Sequence, residues 1–104
     1  MDETTVVRAL AALAQDTRLK LFRQLVISGP EGLTPSSLRE QVDVGAATVS
    51  FHLKELMQAG LVQADRRGRR IVYRVDFAAT DAVLGFLTAH CCQGNRCELR
   101  QPTP

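Results

Sequence analysis

Ninety residues of this 104-residue chain pass before the first cysteine, and only three cysteines follow. An odd number cannot all pair within one chain, which argues against a structural disulfide framework. Long apolar runs are also missing: no stretch approaches the ~18 residues that a membrane-spanning helix needs. The opening Met1-Asp2-Glu3 is acidic, where a secretory leader would place basic residues ahead of an apolar stretch. The expectation is therefore a cytoplasmic protein without a membrane partner, whose thiols stay reduced and serve as ligands or redox groups. Strong net charge is absent too. A formal charge of +2 and a pI of about 8.6 do not by themselves announce a nucleic-acid partner. No internal repeat, low-complexity tract or domain boundary interrupts the chain.

What remains is one domain's worth of sequence, 45% hydrophobic, enough for a modest core that a second subunit would help to complete. Apolar periodicity predicts a first helix over residues 4–14. A second, capped by Asp16, carries Leu19, Phe22, Leu25 and Val26 as its apolar stripe and stops at Gly29. Thr34 then caps a short helix with Pro35 at its first position, reaching about Val42. After a break at Asp43-Val44-Gly45 a longer helix covers residues 46–59, with Val49, Leu53, Leu56 and Met57 in one arc and Gly60 as the stop. Beyond Gly60 the period becomes two. Residues 61–65 and 71–75 are strand-like and are joined by Arg66-Arg67-Gly68-Arg69-Arg70, a β-hairpin pattern. A last helix over residues 78–90 places Val83, Phe86, Leu87 and His90 on one side. Residues 1–92 are thus expected to form one domain. Residues 93–104, polar and with two prolines, form a flexible tail that carries Cys97.

Charge distribution says more than net charge. Arg66, Arg67, Arg69, Arg70 and Arg74 fall within nine residues, a basic ribbon on an otherwise near-neutral chain. A short helix, a tight turn and a longer helix with small residues at its start suggest a helix-turn-helix, and the hairpin that follows suggests a wing. The fold class read from this order is mostly α with a β-hairpin, a winged helix-turn-helix of about five helices. Its recognition helix would enter the major groove of double-stranded DNA. The wing arginines Arg66, Arg67, Arg69 and Arg70 would lie on phosphates or in a narrow minor groove; the bland alternative is a solvated charged turn. On the recognition helix, Thr48, Ser50 and His52 read as exposed and polar, with Lys54 suited to a phosphate. Phe51 projects outward among them. It is either buried by a neighbouring element or set against a thymine methyl. His52 is either packed or DNA-proximal and is placed with the DNA-facing set. Ser36 and Ser37 are candidate phosphate anchors.

These pieces together resemble the ArsR/SmtB family of metal-sensing winged-helix repressors. The matching stretches are ALAQDTRLKLFRQL, VGAATVSFHLKELMQAGLV and RRGRRIVYRV. Within the second, Thr48, Ser50, His52 and Leu53 fit the T-x-S-x-H-L core of the family's recognition helix. The resemblance implies a homodimer built on the first and last helices, with Val83, Phe86 and Leu87 as contacts. It also implies repression at an imperfect palindromic operator and release of DNA on ligand binding. One family site is missing: where arsenic- and cadmium-sensing members often carry C-V-C, this chain has Thr34 and Ser36, and hydroxyls do not replace thiolates for a soft ion. The carboxylate and histidine set of zinc-sensing members is incomplete as well, with Asp81 and His90 alone on the last helix. The stretch FLTAHCC resembles an arsenic-responsive subgroup whose thiols have moved to the end of that helix.

The stretch HCCQGNRC, residues 90–97, gathers all three cysteines. As(III) and Sb(III) are soft, three-coordinate ions that prefer thiolates. Cys91, Cys92 and Cys97 match that count, with Gln93-Gly94-Asn95 as a turn to bring Cys97 back. Adjacent helical positions diverge by about 100°, so Cys91 and Cys92 can act together only where the helix frays. Other readings stay open: a tetrahedral Zn(II) or Cd(II) site that adds His90, a thiol redox switch, methylarsenite on two thiols, and a functionless tail. An enzyme such as a small arsenate reductase is disfavoured, because no cysteine lies near an anion-cradling loop, and no small-molecule substrate is expected. A constitutive DNA-binding domain is the remaining rival.

Overall fold

A computed structural model describes residues 1–94. Five α-helices and one antiparallel hairpin follow in the order α1 (Glu3–Leu13), α2 (Asp16–Ser28), α3 (Pro35–Val42), α4 (Ala46–Gln58), β1 (Val62–Arg67), β2 (Arg70–Val75) and α5 (Phe77–Thr88). This is the winged helix-turn-helix read from the sequence. Short 3-10 segments occupy Gly29–Glu31 and Cys91–Gly94.

Four of the five helix starts have a side-chain cap, α4 after Gly45 being the exception. Asp2 accepts from the Thr5 amide at 2.7 Å, Thr34 Oγ1 from Ser37 at 3.3 Å, and Asp76 from Ala79 at 3.0 Å, satisfying amides that a helix leaves open in its first turn. At α2 the cap is Gln15, whose Oε1 accepts from the Arg18 amide at 2.7 Å. Asp16, expected to cap, is instead the first helical residue, where its charge favours the positive end of the helix. The α3–α4 turn reverses at Asp43, in the left-handed region at φ 58°.

The core lies where α2, α3 and α4 meet the base of the hairpin. Leu21, Leu25, Leu38, Val49, Leu53, Leu56, Leu61 and Val75 are its most completely buried side chains. Leu19 and Met57, expected in the buried stripes of α2 and α4, are exposed at 45% and 41%. The helical period is right, but α2 turns Leu21, Phe22 and Leu25 inward.

Strand pairing runs from Val62↔Val75 to Arg67↔Arg70. The strands extend further than expected, so only Gly68 and Arg69 form the turn. Gly68 has φ +66° and Arg69 is not in the positive-φ region, the II′ pattern whose twist suits a two-residue hairpin. A single bridge adds a third segment to this sheet. Leu33 donates to the Tyr73 carbonyl at 2.9 Å, and Tyr73 donates back at 2.8 Å, tying the loop before α3 to the wing.

Helix α5 begins at Phe77 and stops at Thr88, two residues before its expected end. Val83, expected at a subunit interface, is 5% exposed and belongs to this chain's own core cluster, which also holds Val6 and Ala9 of α1. Phe86 and Leu87 remain exposed at 41% and 54%, as do Leu84 on the same helix and Val7 and Leu10 on α1. No helix among the described residues is long and apolar enough to cross a membrane.

Candidate nucleic-acid interface

One end of the molecule collects most of the residues expected to meet DNA. Thr48, Ser50, Phe51 and Lys54 are exposed on α4, and Arg66, Arg67, Arg69 and Arg70 are exposed on the hairpin. Between helix and wing lies a groove of about 500 Å³ lined by Ser50, Lys54, Met57, Gln58 and Tyr73. A second groove of about 360 Å³ brings Arg67 and Arg70 together with Thr34 and Ser37 at the start of α3. Ser36 is exposed and lines a third, with Arg70 and Ile71. Ser37 is half-buried, and its hydroxyl accepts from Thr34 Oγ1 at 3.2 Å, so it is partly committed to holding its own helix.

The fifth arginine of the basic ribbon plays a different part. Arg74 Nε donates to Asp65 Oδ2 across the strands, while Arg67 Nη2 stands 3.9 Å from the same oxygen. The hydrogen bond from Arg74, helped by the charges of Arg74 and Arg67, holds the Asp65 carboxyl below its usual range. Arg74 thus braces the base of the wing, and the four tip arginines carry its outward charge.

His52 departs from expectation. It is 6% exposed and therefore leaves the set of DNA-facing side chains. Its Nδ1 accepts from Arg18 Nε at 3.2 Å, which places the ring proton of neutral His52 on Nε2. Arg18 also donates through Nη1 to the Ala12 carbonyl at 3.1 Å, so one guanidinium on α2 joins the end of α1 to α4. Burial first, and then the Arg18 charge, lower the His52 pKa below its ordinary value, with Glu55 opposing. Sequence reasoning gave Arg18 no role. Its partner is 34 positions away, and no local pattern signals such a contact.

A depressed histidine pKa favours the neutral ring in the fold. The stability that it contributes is complete above about pH 6.5 and is lost as pH falls below that value, because the unfolded chain takes up the proton first. Urea unfolding should show a lower midpoint at pH 5.5 than at pH 7.5. The drop should shrink in His52→Asn, which keeps an acceptor near Nδ1 without a titrating ring. An equal drop in the variant would assign the acid sensitivity elsewhere.

The thiols lie at the far end of the described chain. Cys91 is half-buried and Cys92 exposed; Cys97 lies outside the described residues. After Thr88 the backbone leaves the helix, with His90, Cys92 and Gln93 all at positive φ. Cys91 and Cys92 therefore do not occupy successive positions of a regular α-helix. Among the described residues, no group of three His, Cys, Asp or Glu side chains is placed to hold a metal ion.

Comparison with known proteins places this architecture among regulators. The family model for a helix-turn-helix domain matches residues 13–63. NmtR, an HTH-type transcriptional regulator of Mycobacterium tuberculosis, is 41% identical over 68 residues, covering 65% of this chain and 54% of its own length. The uncharacterized HTH-type transcriptional regulator YceK of Bacillus subtilis is 33% identical over 72 residues, 69% of this chain and 70% of that protein. A Halobacterium salinarum protein bearing the name arsenical resistance operon repressor ArsR is 36% identical over 78 residues, 75% of this chain and 59% of its own. The chain thus matches little more than half the length of two of these relatives. Among solved structures, an ArsR-like transcriptional regulator from Rhodococcus superposes with a TM-score of 0.73 at 28% identity, covering 81% of this chain and 76% of that one.

Proposed function

The chain belongs to the ArsR-type helix-turn-helix transcriptional regulators, DNA-binding proteins rather than enzymes, and from that premise we propose an operator-bound repressor released by trivalent arsenic. The observation that carries the DNA-binding half is the shared face of α4 and the four-arginine wing. The exposed Thr48, Ser50 and Lys54 line a helix of major-groove size beside guanidinium groups that suit phosphate. Ser36 and Ser37 supply further phosphate contacts at the start of α3. The partner is double-stranded DNA, an imperfect palindrome read by a homodimer. Val7 and Leu10 on α1 with Leu84, Phe86 and Leu87 on α5 form an apolar face that a second copy would cover.

Thiol chemistry supports the inducer. With α5 ended at Thr88, Cys91 and Cys92 can turn toward one ion without unwinding a helix, and Cys97 supplies the third sulfur. As(III) is the primary ligand in this reading and Sb(III) the close analogue. Capture would fix the segment that leaves α5 immediately beside Phe86 and Leu87, and so shift the two reading heads relative to each other. Operator binding depends on half-site spacing of about one DNA turn, so a small shift is enough. His90 beside Cys91 supports a second reading, a tetrahedral Zn(II) or Cd(II) site; a thiol redox switch would use the same sulfurs.

A gel shift on the protein's own upstream region, with arsenite, antimonite, zinc, cadmium and an oxidant in parallel, tests all three. Arsenite should weaken the complex by about 5- to 150-fold, the usual range of allosteric coupling. Cys91→Ser, Cys92→Ser and Cys97→Ser should each keep DNA binding and lose release. A complex that survives every additive ends the sensing proposal; a response to zinc or cadmium alone hands it to the tetrahedral site.

A further inference from the structure

We propose that Phe51 is the base-selecting side chain of this interface, recognising a thymine through its C5 methyl, and that Arg18 and His52 are positioning residues that fix its ring. The proposal rests on the reading of α4 as the recognition helix and adds which side chain discriminates and how it is held.

Phe51 is 53% exposed, on a face otherwise furnished with Thr48, Ser50 and Lys54. A lone exposed phenylalanine needs no explanation by itself. Here, however, the inner side of the ring is furnished. The His52 ring meets it at 5.2 Å between centroids and 60° between planes, an edge-on arrangement within the favourable range for aromatic pairs. The Arg18 guanidinium carbon lies 5.8 Å from the ring centroid, within cation–π reach. Arg18 is itself held at two points, by His52 Nδ1 and the Ala12 carbonyl. Backed in this way, the ring has less rotamer freedom to lose on binding and presents its outer side to whatever lies against α4.

The major-groove edge supplies one apolar group for such a surface, the C5 methyl of thymine. The other edges carry donors and acceptors that a phenyl ring would desolvate without replacing their hydrogen bonds. A ring fixed on the recognition helix therefore favours thymine beneath it and penalises the alternatives. His52, buried and donating nothing to the groove, acts through Phe51 and Arg18. Arg18 has two of its N–H groups directed inward, so it serves the ring rather than a phosphate.

Uracil isolates the methyl, since it differs from thymine by that group alone. Duplexes of the upstream region with each thymine in turn replaced by uracil are titrated with the full chain by fluorescence anisotropy. One thymine per half-site should be sensitive, its replacement weakening wild type about fourfold, as expected for one methyl-sized group removed from water. Phe51→Ala, at an exposed position, should bind thymine and uracil duplexes equally. In Arg18→Met the thymine-to-uracil ratio should fall toward one while the slope of log affinity against log salt stays unchanged. His52→Asn, which keeps an acceptor for Arg18 but removes the ring edge against Phe51, should lower the ratio less than Arg18→Met does; an unchanged ratio would overturn the positioning role of His52.

Specific binding that tolerates uracil at every position overturns the proposal alone. So does a sensitive thymine whose effect persists in Phe51→Ala. An Arg18→Met variant that keeps the ratio but loses about one unit of salt slope makes Arg18 a phosphate contact and overturns its positioning role. A chain that binds no duplex better than a scrambled one overturns the DNA-binding reading, and this proposal with it.

Discussion

Gly32→Ala should destabilise the protein by about 3 kcal/mol or more and loosen the wing, although the residue lies outside every helix and strand. Two independent effects add. Gly32 sits at φ 71°, ψ −170°, a region that is essentially glycine-only because a Cβ there crowds its own backbone. A Cβ built on it would also collide with the Tyr73 carbonyl oxygen and stand 2.8 Å from Val72 Cγ1. The first neighbour is backbone and cannot rotate away. Relief requires separating Leu33 from Tyr73, and with them the two hydrogen bonds that tie the loop before α3 to β2. Gly29 provides the control. It has φ 69° and ψ −152°, nearly the same backbone strain, yet a Cβ there meets nothing within 4 Å. Gly29→Ala should therefore show the strain alone, about 1–3 kcal/mol, and Gly32→Ala a clearly larger loss. Thermal unfolding at fixed protomer concentration reads the difference, at about 4–8 °C per kcal/mol for a domain near this size. Equal losses at the two glycines would mean that the Leu33–Tyr73 bridge yields freely.

That bridge marks the limit of what the sequence discloses. The helix-turn-helix and hairpin were legible because their signals are local: the Thr34-Pro35 start of α3, the change of period at Gly60, the glycine among arginines at Gly68. The exposure of Thr48, Ser50, Phe51 and Lys54 at the candidate interface was legible for the same reason, since it follows from a 3.6-residue period around Val49 and Leu53. What stayed hidden depends on contacts between distant segments. His52 lies on the flank of the α4 wheel, and only the approach of α2 with Arg18 buries it. Val83 shares the apolar side of α5 with Phe86 and Leu87, yet the core takes in Val83 and leaves the other two outside. Within the basic ribbon the sequence does not distinguish Arg74 from its neighbours. The strand register, by bringing Asp65 within reach of it, does. Gln15 rather than Asp16 caps α2 because the helix begins one residue earlier than the stronger capping residue suggests.

Removing two wing arginines together, Arg69→Ala with Arg70→Ala, should weaken DNA binding about a thousandfold at 0.15 M salt, equally on operator and scrambled duplexes. Residues 62–75 carry a net charge of +4, against +2 for the whole chain, leaving the remainder at −2. Attraction to DNA is therefore concentrated in the hairpin, and within it at the tip, because Asp65 is engaged with Arg74 and stands 3.9 Å from Arg67. Each phosphate contact contributes about 0.9 to the slope of log affinity against log salt, or about fivefold in affinity at 0.15 M. A homodimer with both wings on the backbone loses four contacts in the double variant, so the slope should fall by about 3.6. Both side chains are exposed and buried in nothing, so stability should change by no more than about 0.5 kcal/mol, and the loss cannot be assigned to unfolding. Asp65→Asn serves as the counter-test. Removing the carboxylate frees Arg74 and the nearby Arg67, which should raise affinity for any duplex and steepen the salt slope. A loss in the double variant confined to one base position would instead make Arg69 or Arg70 a groove-reading side chain. An unchanged salt slope would return the wing to the solvated charged turn that its sequence alone also allowed.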